Sequence, residues 1–168
     1  MKITIVDDHA NDDPFYPELT ARLRQDLLPE PAISWVNATQ LMPSGKFDPK
    51  RILAELRKTA PDLILMDLVL YESNKRPDLI LSDWLTNEIK RESSLRTVPL
   101  IYVSNFFVDH YSIPGPWRHW CFAKQALVSD EEAWNLFRQT LENPTAAAAL
   151  QVKLRSLPKT ISDERTPV

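Results

Sequence analysis

Three short apolar runs, at 3–6, 63–66 and 98–103, constrain this chain more than any other feature. Each is rich in Ile, Leu or Val, too short for a helix, and bounded by polar or turn residues. That is the pattern of a strand buried on both faces. A weaker fourth run lies at 33–36, and a fifth at 120–123 follows a proline-rich loop. Between the runs, apolar residues recur at helical spacing. Leu19, Leu23 and Leu27 fall within 18–28, and Ile52, Leu53 and Leu56 within 50–58, with Pro49 in the first turn. Leu79, Ile80, Trp84 and Ile89 fall within 78–90. Ala133, Trp134, Phe137 and Leu141 fall within 130–141, where Ser129 or Asp130 is the cap. Strands alternating with helices predict an α/β fold, a doubly wound five-stranded parallel sheet read as β-α-β-α-β-α-β-(short α)-β-α. The irregular element is the fourth helix. A helix there can run only over about 105–112, because Pro114 and Pro116 stop it.

At 168 residues the chain has the size of one domain. We assign 1–143 to that domain and 144–168 to a C-terminal tail. After Pro144 and Thr145 the tail has four alanines, then Leu150, Leu154 and Leu157 at helical spacing, and its polar end, 158–168, is expected to be disordered. Only two glycines are present, Gly45 and Gly115, which excludes the Gly-rich phosphate cradles of P-loop and dinucleotide-binding folds. The single cysteine, Cys121, excludes an intramolecular disulfide and argues against a thiolate zinc cage. We read it as an inert core thiol. A net charge of −3 gives no electrostatic reason to expect nucleic acid or an anionic membrane as partner. No targeting segment or bilayer-length apolar run is seen, so the expected compartment is the cytoplasm.

The chemistry-bearing residues sit where the strands stop. In a parallel α/β sheet, ligands bind beyond the carboxyl ends of the strands. The first run ends in Asp7 and Asp8, the third strand in Asp67, the fourth in Ser104 and Asn105, and the fifth at Lys124. Three carboxylates, a hydroxyl and an ammonium thus converge on one edge. Two or three oxygen ligands with open positions suit Mg²⁺, which keeps several waters and shares a phosphate readily. The hydroxyl and the ammonium suit phosphoryl oxygens. His9, His110 and His119 have no metal-ligand spacing, and Trp84, Trp134 and Phe137 read as core.

The arrangement resembles the receiver domain of two-component response regulators, a flavodoxin-like fold, over about residues 1–143. The matching stretches are Ile3-Thr4-Ile5-Val6-Asp7-Asp8-His9, Pro61-Asp62-Leu63-Ile64-Leu65-Met66-Asp67-Leu68, Val98-Pro99-Leu100-Ile101-Tyr102-Val103-Ser104-Asn105 and Phe122-Ala123-Lys124. The resemblance implies that Asp67 accepts a phosphoryl group from a histidine kinase or phosphotransfer protein. It implies that Asp8 and Asp67, with the Val69 backbone carbonyl, hold Mg²⁺ directly and Asp7 through water. Ser104 would bind a phosphoryl oxygen, and Lys124 would pair with Asp67 at rest. The chain would then be a signalling domain rather than an enzyme, catalysing at most its own phosphoryl transfer and dephosphorylation. Its output would go to a downstream protein whose identity is open, with a homodimer also open.

Three departures from the family pattern stand out. Gln125 follows Lys124 in place of proline, Cys121 stands where a switching aromatic is usual, and Asn105 replaces a small residue. The apolar Val69 and Phe106, two beyond Asp67 and Ser104, predict slow self-dephosphorylation. Without an aromatic at 121, the output is expected at 105–117. Two alternatives stand beside this reading. One is a receiver-like interaction module without regulated phosphorylation. The other, distant, is a haloacid-dehalogenase-type phosphatase, whose second Asp would fall at Val69.

Overall fold

The computed structural model describes residues 1–8, 13–38, 41, 48–67, 70, 79–104 and 119–143. Five strands and five helices appear in them: β1 (Lys2–Asp7), α1 (Phe15–Asp26), β2 (Ala32–Asn37), α2 (Pro49–Thr59), β3 (Leu63–Asp67), α3 (Leu79–Arg91), β4 (Leu100–Ser104), β5 (His119–Ala123), α4 (Lys124–Ser129) and α5 (Glu131–Glu142). The strands form one sheet in the order β2-β1-β3-β4-β5, and every pairing is parallel. The predicted five-stranded α/β architecture is the one observed. The short helix expected at 105–112, the tail at 144–168, and residues Val69 and Phe106 lie outside the described residues.

Alternation along the central strands builds two cores. Ile3 and Ile5 of β1, Leu63 and Leu65 of β3, and Ile101 and Val103 of β4 pack with α1, α4 and α5. Val6, Ile64, Met66, Leu100 and Tyr102 face the other way and pack with α2 and α3. All residues of β3 are buried, as a central parallel strand requires. Thr4, a polar residue on β1, is buried with its hydroxyl 2.8 Å from that of Ser34 and 2.9 Å from that of Thr59.

The helix boundaries follow from their caps. Asp48 accepts the Lys50 N–H at 3.0 Å ahead of Pro49, and Asp130 accepts the Glu132 N–H at 2.8 Å. Helix α1 begins three residues earlier than the apolar spacing indicates, because the Asp13 carboxylate takes the Phe15 N–H at 3.0 Å. It ends at Asp26, so Leu28 is outside it and fully exposed. Helix α2 ends at Ala60 with φ of 45°, a left-handed position usually given to glycine, in a chain with only two.

Two further expectations are corrected. Trp84 is not core: it is 45% exposed, and α3 buries Leu85, Thr86 and Ile89 instead. The fifth strand stops at Ala123, and Lys124 opens the six-residue helix α4, which is too short to show a period in the sequence. No helix among the described residues is long and apolar enough to cross a membrane.

Candidate functional site

Sheet register assembles the site. Val6 is opposite Met66, so Asp7 and Asp67 follow side by side at the ends of β1 and β3. Asp67 is in turn opposite Val103, which precedes the last residue of β4, Ser104. Ser104 is opposite Ala123, and Lys124 is the next residue. Asp7, Asp8, Asp67 and Lys124 are all buried.

Lys124 is the centre of the arrangement. Its ammonium donates to Asp67 Oδ2 at 2.9 Å, to Asp7 Oδ2 at 3.0 Å and to Asp13 Oδ2 at 2.9 Å. It also lies 4.7 Å from the centre of the Tyr16 ring, over its face. The Tyr16 hydroxyl donates to the same Asp7 oxygen that Lys124 holds. Tyr16 of helix α1 and Asp13, two residues before that helix, thus fix both the ammonium and one carboxylate. The same helix anchors α4: Arg22 donates to the Leu127 and Val128 carbonyls at 3.0 and 3.1 Å, near the end of α4.

The electrostatics follow from burial and proximity. Burial pushes the Asp67 carboxyl up, Lys124 pulls it back, and the neighbouring Asp7 charge raises it further, leaving it at about 7. Burial acts on Asp7 in the same upward direction, but Lys124 and the Tyr16 hydroxyl outweigh it and hold Asp7 below its ordinary value. Burial alone would lower Lys124, but Asp67 and Asp7 raise it, so it stays charged. Burial and the Asp7 charge together keep the Tyr16 phenol protonated.

Three carboxylate oxygens, one each from Asp7, Asp8 and Asp67, all lie within 4.8 Å of one another. An all-oxygen anionic set of this kind fits a hard divalent cation, whose charge offsets the repulsion among the acids. The cluster can therefore hold a metal ion.

No family model and no curated protein matches the chain. Solved structures do. The signal receiver domain of a DNA-binding response regulator (merR) from Colwellia psychrerythraea 34H superposes with a TM-score of 0.51 at 15% identity, over 84% of this chain and 98% of that one. The chemotaxis response regulator CheY4 of Vibrio cholerae does so with a TM-score of 0.50 at 15% identity, over 85% and 97%. This is the receiver-domain fold. Identity this low shows the fold, and the site has to be argued from its own residues.

On the receiver fold, the structure brings together Asp7, Asp8, Asp67 and Lys124, as the sequence reading expected. It places the backbone of Ser104 at the same edge. Val69, expected to lend a carbonyl to the cation, lies outside the described residues. Two residues were missed. Asp13 is a third acceptor on Lys124, and Tyr16 is a second donor on Asp7. A signal for Asp13 exists in the sequence, since Asp-Pro at the entry to a helix marks a capping carboxylate. Tyr16 stands three residues before Leu19 and seven before Leu23, in phase with the apolar stripe, so the spacing marks it as buried but not that its hydroxyl meets Asp7.

Proposed function

We propose that the chain is a phosphoacceptor signalling domain. Asp67 takes a phosphoryl group from a phosphohistidine of a histidine kinase or phosphotransfer protein, with Mg²⁺ at the acid cluster. The single observation that carries this reading is the buried Lys124 ammonium bonded to Asp7 and Asp67 beside Asp8. Such a set positions a nucleophile, a cation and a phosphoryl oxygen, which is most of what phosphoryl transfer asks of a protein.

In the step proposed, an ionised Asp67 oxygen attacks phosphorus and forms a P–O bond. The P–N bond of the phosphohistidine breaks, and its electron pair stays on the imidazole nitrogen. The product is an aspartyl phosphate. A bound Mg²⁺ would supply positive charge that offsets the charge of the incoming phosphoryl group. Asp7 and Asp8, with Asp67, would hold it, and Tyr16 keeps Asp7 oriented. Lys124 moves from the Asp67 carboxylate to a phosphoryl oxygen, and Ser104 accompanies it as a hydroxyl donor. Output goes through contact with a downstream protein in the cytoplasm rather than through catalysis.

The experiment is intact mass after incubation with a small phosphodonor and Mg²⁺. A gain of one phosphoryl group in wild type, absent in Asp67→Asn, supports the proposal. An unchanged wild-type mass with several donors would reject it in favour of an interaction module.

A further inference from the structure

Lys124 has three N–H donors and, in this structure, three carboxylate acceptors for them: Asp7, Asp67 and Asp13. Its side chain is only 2% exposed, so water cannot supply a substitute partner from the side. A phosphoryl oxygen can therefore be received by this ammonium only if one carboxylate gives up its bond. Asp67 gives up its bond as it becomes the phosphoryl carrier, which frees one donor. Asp7 is fully buried and is held by the Tyr16 hydroxyl as well. Asp13 differs from both. Its side chain is 14% exposed, close to the 12% of Asp67 and against 0% for Asp7, and it belongs to no strand end. Its other oxygen, Oδ1, is occupied at the start of α1 by the Phe15 N–H.

We infer that Asp13 competes with the phosphoryl group for Lys124: the donor that leaves Asp67 reaches one phosphoryl oxygen, while Asp13 keeps a second donor, and part of the ammonium's charge, from the incoming group. This rests on the phosphoacceptor reading above and deepens it, making Asp13 a positioning residue that sets how readily Asp67 is loaded. The competition is electrostatic as well as steric. Asp13 adds a negative charge beside the path of an incoming phosphoryl dianion and draws on the one cation that would attract it.

Two variants separate this role from the capping role. Asp13→Asn keeps a side-chain oxygen for the Phe15 N–H but turns a neutral amide toward Lys124. Asp13→Ser keeps a short capping oxygen that cannot serve both partners. The rate of mass gain with a small acyl-phosphate donor and Mg²⁺ should rise about tenfold in both variants, the scale of one charged hydrogen bond. In the unphosphorylated chain, proton exchange of the Lys124 ammonium, followed by nitrogen-edited NMR, should also accelerate about tenfold, a readout that loss of a cap alone would not move. Asp13→Glu, which restores a carboxylate, should return both readouts toward wild type. A wild type that takes no label overturns the phosphoacceptor reading and this inference with it. A labelled wild type with unchanged or slower loading in both variants overturns this inference alone.

Discussion

The two faces of the sheet are built from the same alternating strands but do different work. The face covered by α2 and α3 is an apolar core, with Ile52, Leu56, Leu85 and Ile89 closing on Ile64, Met66 and Leu100. Its buried hydroxyl pair, Thr86 with Tyr102, is neutral, and its ion pair between Arg57 and Glu92, at 3.6 Å, is partly exposed. The face covered by α1, α4 and α5 is threaded with charge. Tyr16 reaches Asp7, Asp13 reaches Lys124, Arg22 holds the end of α4 and lies 4.5 Å from the Trp134 ring centre, and the Trp134 indole donates to Asp26 at 2.6 Å. Both faces stabilise the sheet, and the one under α1, α4 and α5 also carries Tyr16 and Asp13 to the site at its edge. Substitutions on the two faces should therefore separate stability from metal and phosphoryl chemistry.

The largest effect is expected at Lys124. Lys124→Met leaves buried carboxylates without their cation and should cost about 3–5 kcal/mol in urea unfolding without metal. Millimolar Mg²⁺ should recover part of the loss, since a divalent cation offsets the same repulsion. On the other face, Leu56→Ala should cost about 2–5 kcal/mol by opening a cavity. Its Mg²⁺ affinity, measured by calorimetry on the folded protein, should match wild type. A matching loss of affinity in Leu56→Ala would erase the distinction between the faces.

Hydroxyl deletions distinguish the two faces as well. Tyr16→Phe removes a donor from the charged Asp7 and should cost about 1.5–3 kcal/mol in metal-free buffer. Tyr102→Phe removes a neutral partner from Thr86 and should cost about 0.5–1.5 kcal/mol. Tyr16→Phe alone should change Mg²⁺ affinity. Trp35, whose ring centre is 5.0 Å from that of Tyr16, offers a fluorescence reporter on that face.

The smallest effect is a pH dependence that also belongs to one face. The Asp67 carboxyl stands at about 7 against an ordinary 3.8, so the metal-free fold binds its proton more tightly than the unfolded chain does. That contribution is complete below 3.8 and is lost as pH rises through about 7. Asp7, held below its ordinary value, does not titrate near neutrality and adds no slope there. Metal-free stability should fall from pH 6 to 8, while Mg²⁺ affinity should rise over the same interval because the cation displaces the Asp67 proton. Asp67→Asn should flatten both curves, whereas Leu56→Ala should leave their shapes unaltered.

The strands and the acids at their ends were legible because each depends on local pattern: a buried parallel strand is a short apolar run, and its carboxyl end points at the site. Asp7, Asp8, Asp67 and Lys124 were found that way. What could not be read depends on contact between distant segments. Tyr16 lies nine residues from Asp7 and meets it only because α1 packs back on β1. Asp13 meets Lys124 across 111 positions. Trp84 read as core from its spacing, but its helix turns Leu85 and Ile89 inward and leaves the indole on the rim. Helix α4 has six residues, fewer than two turns, so no periodicity could announce it.

The most direct test of the account is to locate the phosphoryl group chemically. Wild-type protein is loaded with a small phosphodonor and Mg²⁺, reduced with borohydride, digested and read by peptide mass. Reduction of an aspartyl phosphate converts that side chain to homoserine, so homoserine is expected at position 67, dependent on donor and Mg²⁺. An intact aspartate at position 67 after loading, or homoserine at another acid in its place, would contradict it.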